Sequence, residues 1–298
     1  MTDHDDGLRR EFKVLLPNGK PICYDQWIGI GANAVVVPKG DHALKLPLHE
    51  LHIPDDNLEE TQLLNEDNRN CLQREIGIYR RLGHHDSIAE CLEIEEEGIL
   101  LRRYRRGELG TFIKTQPEVD RSTKSTWILN LIDGMLHFHN SKVFFRDAAL
   151  RNILISDEFT LKMIDFGVCM LHPLDTDMSK VSHDHDTIQS NLFELGSLIY
   201  SIAKWEEYDF DLWDNRWVIP PLSDLPDTDK IFCGDIIRKC WAGECASIVD
   251  LHREAEPMLR RIAHPSARES ALTKLTNTVS ALLSNTWTYL DANVRYIR

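Results

Sequence analysis

The chain has 298 residues, 42% of them hydrophobic and 28% charged, enough for one large domain or two lobes with separate cores in a globular protein. Its 34 basic against 48 acidic side chains leave a formal charge of -14, which argues against general electrostatic binding of nucleic acid, although backbone amides and a metal ion can still hold an anionic nucleotide in one cleft. The acidic start, the lack of any apolar run near the ~18 residues of a membrane span and seven scattered cysteines lead us to expect reduced thiols, no membrane contact and a cytoplasmic or nuclear location.

Residues 1–20 read as a polar lead-in ending on Pro17, Asn18 and Gly19, a turn signal. Over 21–48, β-branched runs separated by Gly and Pro predict an antiparallel meander. The acidic, polar stretch 49–68 is expected to be an inserted loop. A helix follows over 71–82, where Leu72, Ile76, Tyr79 and Leu82 share one face. Residues 99–101 read as a short buried strand and 102–107 as a linker. Beyond it the pattern turns helical: Trp127, Leu131, Met135 and Phe138 form one apolar face, and 192–202 is apolar nearly all round, predicting a buried helix. The region 266–298 reads as amphipathic helix (Leu272, Leu275, Val279, Leu282, Leu283, Trp287). Strands first and helices second predict an α+β protein of two lobes, without internal repeats.

One stretch carries chemistry. Asp147 is followed five residues later by Asn152, and Asp165, in Asp165-Phe166-Gly167, stands eighteen residues beyond Asp147. An acid to orient a hydroxyl, with an Asn and a second Asp to hold magnesium, is what phosphoryl transfer from a nucleotide requires. The bland alternative, that these residues only cap turns, explains each singly but not their joint spacing. The order and interval resemble the catalytic loop and metal-binding triplet of the protein kinases.

Several implications follow from that resemblance. The fold would be the bilobal protein-kinase fold, α+β, with a small antiparallel-sheet N-lobe over 21–104, a larger helical C-lobe over 105–262 and a C-terminal extension over 263–298. Gly29, Ile30, Gly31, Ala32, Asn33 and Ala34 resemble the kinase glycine-rich loop, with Ala34 in place of the third glycine; alone they are equally an ordinary hairpin. Lys45 would hold the α- and β-phosphates of ATP, placed by Glu75. Val36 and Ala43 from above and Leu154 from below would sandwich adenine, unless they are simply core, and residues 103–104 would offer backbone groups to its edge. Asp147 would orient the attacking hydroxyl, while Asn152 and Asp165 would bind Mg2+.

Arg146, beside Asp147, would receive a regulatory phosphate from Thr176, Ser179, Ser182 or Thr187. Phe145 replaces the family's histidine as a packing element against Phe166. Ala149 and Arg151 make the loop closer to the tyrosine-kinase pattern, although serine/threonine activity is commoner. The stretches 194–200 and 233–241 resemble those of the compact kinases of filamentous fungi. The implied function is transfer of the γ-phosphate of ATP to a Ser, Thr or Tyr hydroxyl of a protein substrate.

Three departures support an alternative reading as a pseudokinase, a nucleotide-binding or scaffold module. No Ala-Pro-Glu follows Asp165-Phe166-Gly167 in the segment 167–191, which by the resemblance would hold the peptide substrate, and its run His183, Asp184, His185 and Asp186 reads as a mobile polar loop without metal-ligand spacing. Asn191 stands where the family has an Asp, and would accept from the catalytic-loop backbone through its carbonyl oxygen. Strand alignment places Arg102 behind the adenine pocket, as a guanidinium competing with Lys45 for Glu75. A small-molecule kinase ranks below both readings, because such folds usually lack the Asp-Phe-Gly triplet.

Overall fold

The computed structural model describes residues 14–15, 21–22, 26–49, 58–96, 98–183, 186–208, 210 and 212–264. The expected helices over 266–298 and most of the lead-in lie outside these residues. At the N-terminal end, β1 (Val14–Leu15) pairs antiparallel with β2 (Pro21–Ile22), on either side of the turn signal at 17–19.

The next strands form the meander: β3 (Gly29–Ile30), β4 (Ala34–Lys39) and β5 (His42–Pro47). With β6 (Cys91–Ile94) and β7 (Ile99–Arg102) they make a five-stranded antiparallel sheet of order β3-β4-β5-β7-β6. The two-residue period of a strand divides it into two faces. Val35, Val37, Leu44 and Leu46 pack with Leu48 into a small core on one face. The register pairs Val36 with Lys45 and Ala43 with Leu101, so these four residues share the other face. Gly98 permits the close approach of β7 to β5, since a Cβ there would lie 2.6 Å from the Lys45 carbonyl oxygen.

The helix crossing this sheet is longer than expected. α1 (Leu58–Leu82) takes in residues 58–68, assigned above to an inserted loop. The inward stripe of its first half is polar: Thr61, Asn65 and Asn68 are buried, and the stripe continues through Leu72, Glu75, Ile76 and Tyr79. An amide-lined stripe at helical spacing is invisible to a test of apolar periodicity.

The second lobe is helical. α2 (Leu109–Thr115) leads to α3 (Arg121–Asn140), capped by the Asp120 carboxylate on the Thr123 amide. On α3 the predicted face of Trp127, Leu131, Met135 and Phe138 is fully buried. The Trp127 indole is satisfied by donating to the Phe159 carbonyl at 2.8 Å. Short pairs follow: β8 (Val143–Phe144), the hairpin of β9 (Ile153–Ile155) and β10 (Leu161–Met163), and β11 (Met170–Leu171), which returns to pair with β8.

The segment after Gly167 is structured; of the run expected to be a mobile polar loop, His183 and Asp186 are paired strand residues, and Asp184 and His185 lie outside the described residues. It contains β11, a 3-10 turn over Met178–Lys180, and the paired β12 (Ser182–His183) and β13 (Asp186–Thr187). Met178 and Val181 pack against Phe144, which gives the segment a core of its own. α4 (Ile188–Lys204) begins with a reciprocal capping box between Thr187 and Ser190 and is buried along most of its length. α5 (Gly234–Ala242) and α6 (Ile248–Ala263) complete the lobe, α5 packing on α4 and α6 on α3. Among the described residues no helix is long and apolar enough to cross a membrane, and the six described cysteines are free.

Candidate active site

A cleft of about 940 Å3 opens between the sheet and the helical lobe. The residues expected to bind nucleotide and metal or to act in catalysis line it: the turn from Gly29 to Ala34, Val36, Ala43, Lys45, Glu75, Asp147, Asn152, Leu154 and Asp165. The turn is closed by the Gly31 amide donating to the Ala34 carbonyl at 2.8 Å, and a Cβ on Gly31 would stand 3.9 Å from the Asp165 carboxylate. The turn therefore lies over Asp165.

Lys45 joins three elements. Its Nζ is 2.6 Å from Glu75 Oε2 and 2.9 Å from Asp165 Oδ1, and both Lys45 and Glu75 are buried. Burial pushes the Lys45 ammonium down, but the carboxylates of Glu75 and Asp165 outweigh it and leave the pKa raised. Asp165 remains half exposed to the cleft. Its backbone lies in the left-handed region, at φ 65°, as does that of Asp147, at φ 62°. Both acids thus stand at positions where a non-glycine residue is strained, and their loops must be held by their neighbours.

Those neighbours are specific. Asn152 donates through Nδ2 to the Asp147 carbonyl and to Asp147 Oδ2, each at 2.9 Å, and Arg151 donates to Asp147 Oδ1. Burial raises the Asp147 carboxyl above its ordinary value; Arg151 and Asn152 oppose the shift without cancelling it. Phe166 is fully buried among Tyr79, Phe138 and Phe145, with ring centroids 4.9, 5.3 and 6.0 Å away. Arg74 on α1 donates to the Gly167 carbonyl at 2.8 Å.

Three expectations are corrected. Arg102 borders the cleft but is not a buried guanidinium competing for Glu75: its side chain is partly exposed and pairs with Glu158 at 2.7 Å and Glu90 at 3.9 Å. The inward position belongs to Leu101, opposite Ala43, because the strand alternates and Ile99 is already inside. Arg103 and Tyr104 line the cleft beyond it.

Arg146 does not stand open for a phosphate. Asp186 closes on it, accepting from Nε at 2.7 Å and from Nη2 at 2.5 Å. Asn191 acts on the catalytic loop as a donor, Nδ2 to the Phe145 carbonyl at 2.7 Å, while its oxygen meets His139 Nε2 at 3.1 Å. An amide has the N–H that an ionised Asp lacks, so the substitution reverses the direction of the bond. Asn68, Leu101 and Asp186 escaped the sequence reading; strand alternation from Ile99 is the signal that would have found Leu101.

Comparison with known proteins adds independent support. The family model described as "Protein kinase domain" matches residues 57–186. The chain is 34% identical over 100 residues to the serine/threonine-protein kinase cds1 of Schizosaccharomyces pombe, covering 32% of this chain and 22% of that protein. It is 29% identical over 181 residues to the serine/threonine-protein kinase KSP1 of Saccharomyces cerevisiae, covering 56% and 17%. It is 33% identical over 99 residues to the mitogen-activated protein kinase kinase kinase dlk-1 of Caenorhabditis elegans, covering 32% and 11%. The matched stretches are thus less than a quarter of the length of each of these relatives. With the five-stranded sheet, the helical lobe and the cleft between them, the chain has the bilobal α+β fold of the protein kinases, to whose domain model residues 57–186 are similar.

Proposed function

We propose that the chain is an ATP-dependent protein kinase, of serine/threonine type, acting on a protein substrate in the cytoplasm or nucleus. The observation that carries this reading is the bridge from Lys45 to both Glu75 and Asp165 in the same cleft as Asp147 and Asn152. Such a lysine–glutamate pair together with a positioned metal-binding Asp is the assembled state that kinase chemistry requires. Similarity to the serine/threonine-protein kinases cds1 and KSP1 favours Ser/Thr over Tyr acceptors.

The donor set fits a hard cation. Asn152 and Asp165 offer amide and carboxylate oxygens at the cleft, and a magnesium site needs only one or two carboxylates beside substrate phosphates. When bound, Mg2+ neutralises phosphate charge as the γ-phosphoryl group transfers. Lys45 supplies a fixed positive charge for the α- and β-phosphates, and Glu75 holds its direction. The turn from Gly29 to Ala34 covers the phosphates with backbone rather than side chains. Val36, Ala43 and Leu101 on the sheet side and Leu154 on the other offer apolar surface for the base. Asp147 orients the acceptor hydroxyl and takes its proton as the oxygen bonds to phosphorus and ADP leaves. The work of these residues is positioning and electrostatics.

The test is transfer from radiolabelled ATP to a degenerate peptide library, with parent and Asp147→Asn compared. Transfer to Ser/Thr peptides, reduced about 10²- to 10⁴-fold in the variant with nucleotide binding retained, is the expected result. Binding without transfer by the parent would establish a pseudokinase instead.

A further inference from the structure

We propose that Asn68 is a positioning residue for nucleotide, fastening the tip of the glycine turn to the helix that carries Glu75; this rests on the reading of the cleft as an ATP site. The connection is a closed set of three hydrogen bonds. Asn33, in the turn between β3 and β4, donates through Nδ2 to Asn68 Oδ1 at 2.8 Å. Asn68 donates through its own Nδ2 to the Leu48 carbonyl at 3.1 Å. The Leu48 amide returns to the Asn33 carbonyl at 2.9 Å. Turn, strand end and helix are thereby held in one ring.

Asn68 is only 2% exposed, so water does not replace these bonds when they are lost. A turn that includes Gly29 and Gly31 has little stiffness of its own, because glycine leaves the backbone free. The stiffness is imported from α1. Asn68 and Glu75 are seven residues apart, two helical turns along one face. One rigid element therefore sets both the carboxylate that directs Lys45 and the roof that lies over Asp165. A roof already in place when nucleotide arrives removes part of the ordering entropy of binding.

A merely structural role for Asn68, as a polar plug under Leu48, makes a different forecast, and Asn33→Ala separates the two. That variant removes the bond to the turn and leaves the bond from Asn68 to Leu48. The experiment titrates the full chain with ATP and Mg2+ for parent, Asn33→Ala, Asn68→Ala and the double variant, with KM and kcat measured in parallel. Each single variant is expected to lower nucleotide affinity about three- to tenfold, in line with one buried hydrogen bond. KM for ATP should rise while kcat stays within about twofold, and the double variant should lose no more than Asn68→Ala alone. Hydrogen exchange at residues 29–34, without nucleotide, should quicken in Asn33→Ala. Unchanged affinity in Asn33→Ala, or losses that simply add, would overturn the proposal alone. A parent chain that binds no nucleotide would overturn the site reading and the proposal with it.

Discussion

The Arg146 guanidinium is held by the Asp186 carboxylate through both Nε and Nη2, and Asp186 is 1% exposed. The pair ties the catalytic loop to β13, forty residues later, without any added group. A phosphate on Thr176, Ser179 or Ser182 would have to displace a buried carboxylate to reach Arg146, and Thr187 is occupied as the cap of α4.

The chain free of phosphate is therefore expected to be fully competent. Activity should be unchanged in a Thr176→Ala, Ser179→Ala, Ser182→Ala triple variant, while Asp186→Asn should lower both transfer and stability. Removing one partner of a buried pair costs about 3–5 kcal/mol; with Arg146 27% exposed on its side chain, about 2–3 kcal/mol is the better expectation here. Mass spectrometry of the purified chain, urea denaturation and peptide transfer check the three parts. A strict need for phosphorylation would refute this account.

Lys45 and Glu75 are unequal partners. Glu75 is 1% exposed and its Oε1 has no hydrogen-bond partner among the described residues, whereas Lys45 also has Asp165. Lys45→Ala strands a buried carboxylate, while Glu75→Gln leaves Lys45 with a second carboxylate and an amide oxygen beside it. Lys45→Ala should therefore destabilise the fold by about 3 kcal/mol or more, and Glu75→Gln by clearly less. Denaturant midpoints compare the two, and a reversed order would be incompatible with this geometry.

The fold was readable where side-chain periodicity was apolar and unreadable where it was not. Val35 and Val37 alternate with Val36, and Trp127 to Phe138 recur at helical spacing, so sheet and helix declared themselves. The first half of α1 did not, because its inward residues are Thr61, Asn65 and Asn68. Asp147, Asn152 and Asp165 were picked out by their joint spacing and Lys45 and Glu75 by their resemblance to the kinase pattern, and the structure brings all five to one cleft. Lys45 with Glu75 was a legible partnership; others were not. Nothing local marks Asp186 as the companion of Arg146, or pairs Arg102 with Glu158; both follow from strand register and chain return, which exist only once the chain is folded.

Leu101 sets the depth of the cleft. It lies opposite Ala43, is 8% exposed and lines the cleft together with Val36 and Leu154. Leu101→Ala should enlarge the pocket, admit adenine derivatives carrying a bulky substituent, and cost about 2–4 kcal/mol of stability as a core truncation. Leu101→Trp should block nucleotide while Lys45, Glu75 and Asp165 stay in place. Thermal shift with ATP and with a substituted analogue distinguishes the two variants; equal responses from both would show that Leu101 does not border the base.

Asp147 makes the last forecast, one of pH. Burial raises its carboxyl above the ordinary 3.8, with Arg151 and Asn152 as partial counterweights. In its proposed role of taking the acceptor proton it must be ionised, so kcat/KM should fall on acidification through a midpoint above the usual Asp range. The stability effect has the opposite sense. An acid whose folded pKa exceeds its unfolded one binds more protons when folded, so stability declines as pH rises through that window, and above it the ionised carboxylate is a net burden. Asp147→Asn should consequently lower transfer about 10²- to 10⁴-fold yet melt no lower than the parent at neutral pH, with the difference vanishing in acid. Paired melting curves at neutral and acidic pH measure it, and a variant markedly less stable at neutral pH would mean that Arg151 and Asn152, rather than burial, govern the site.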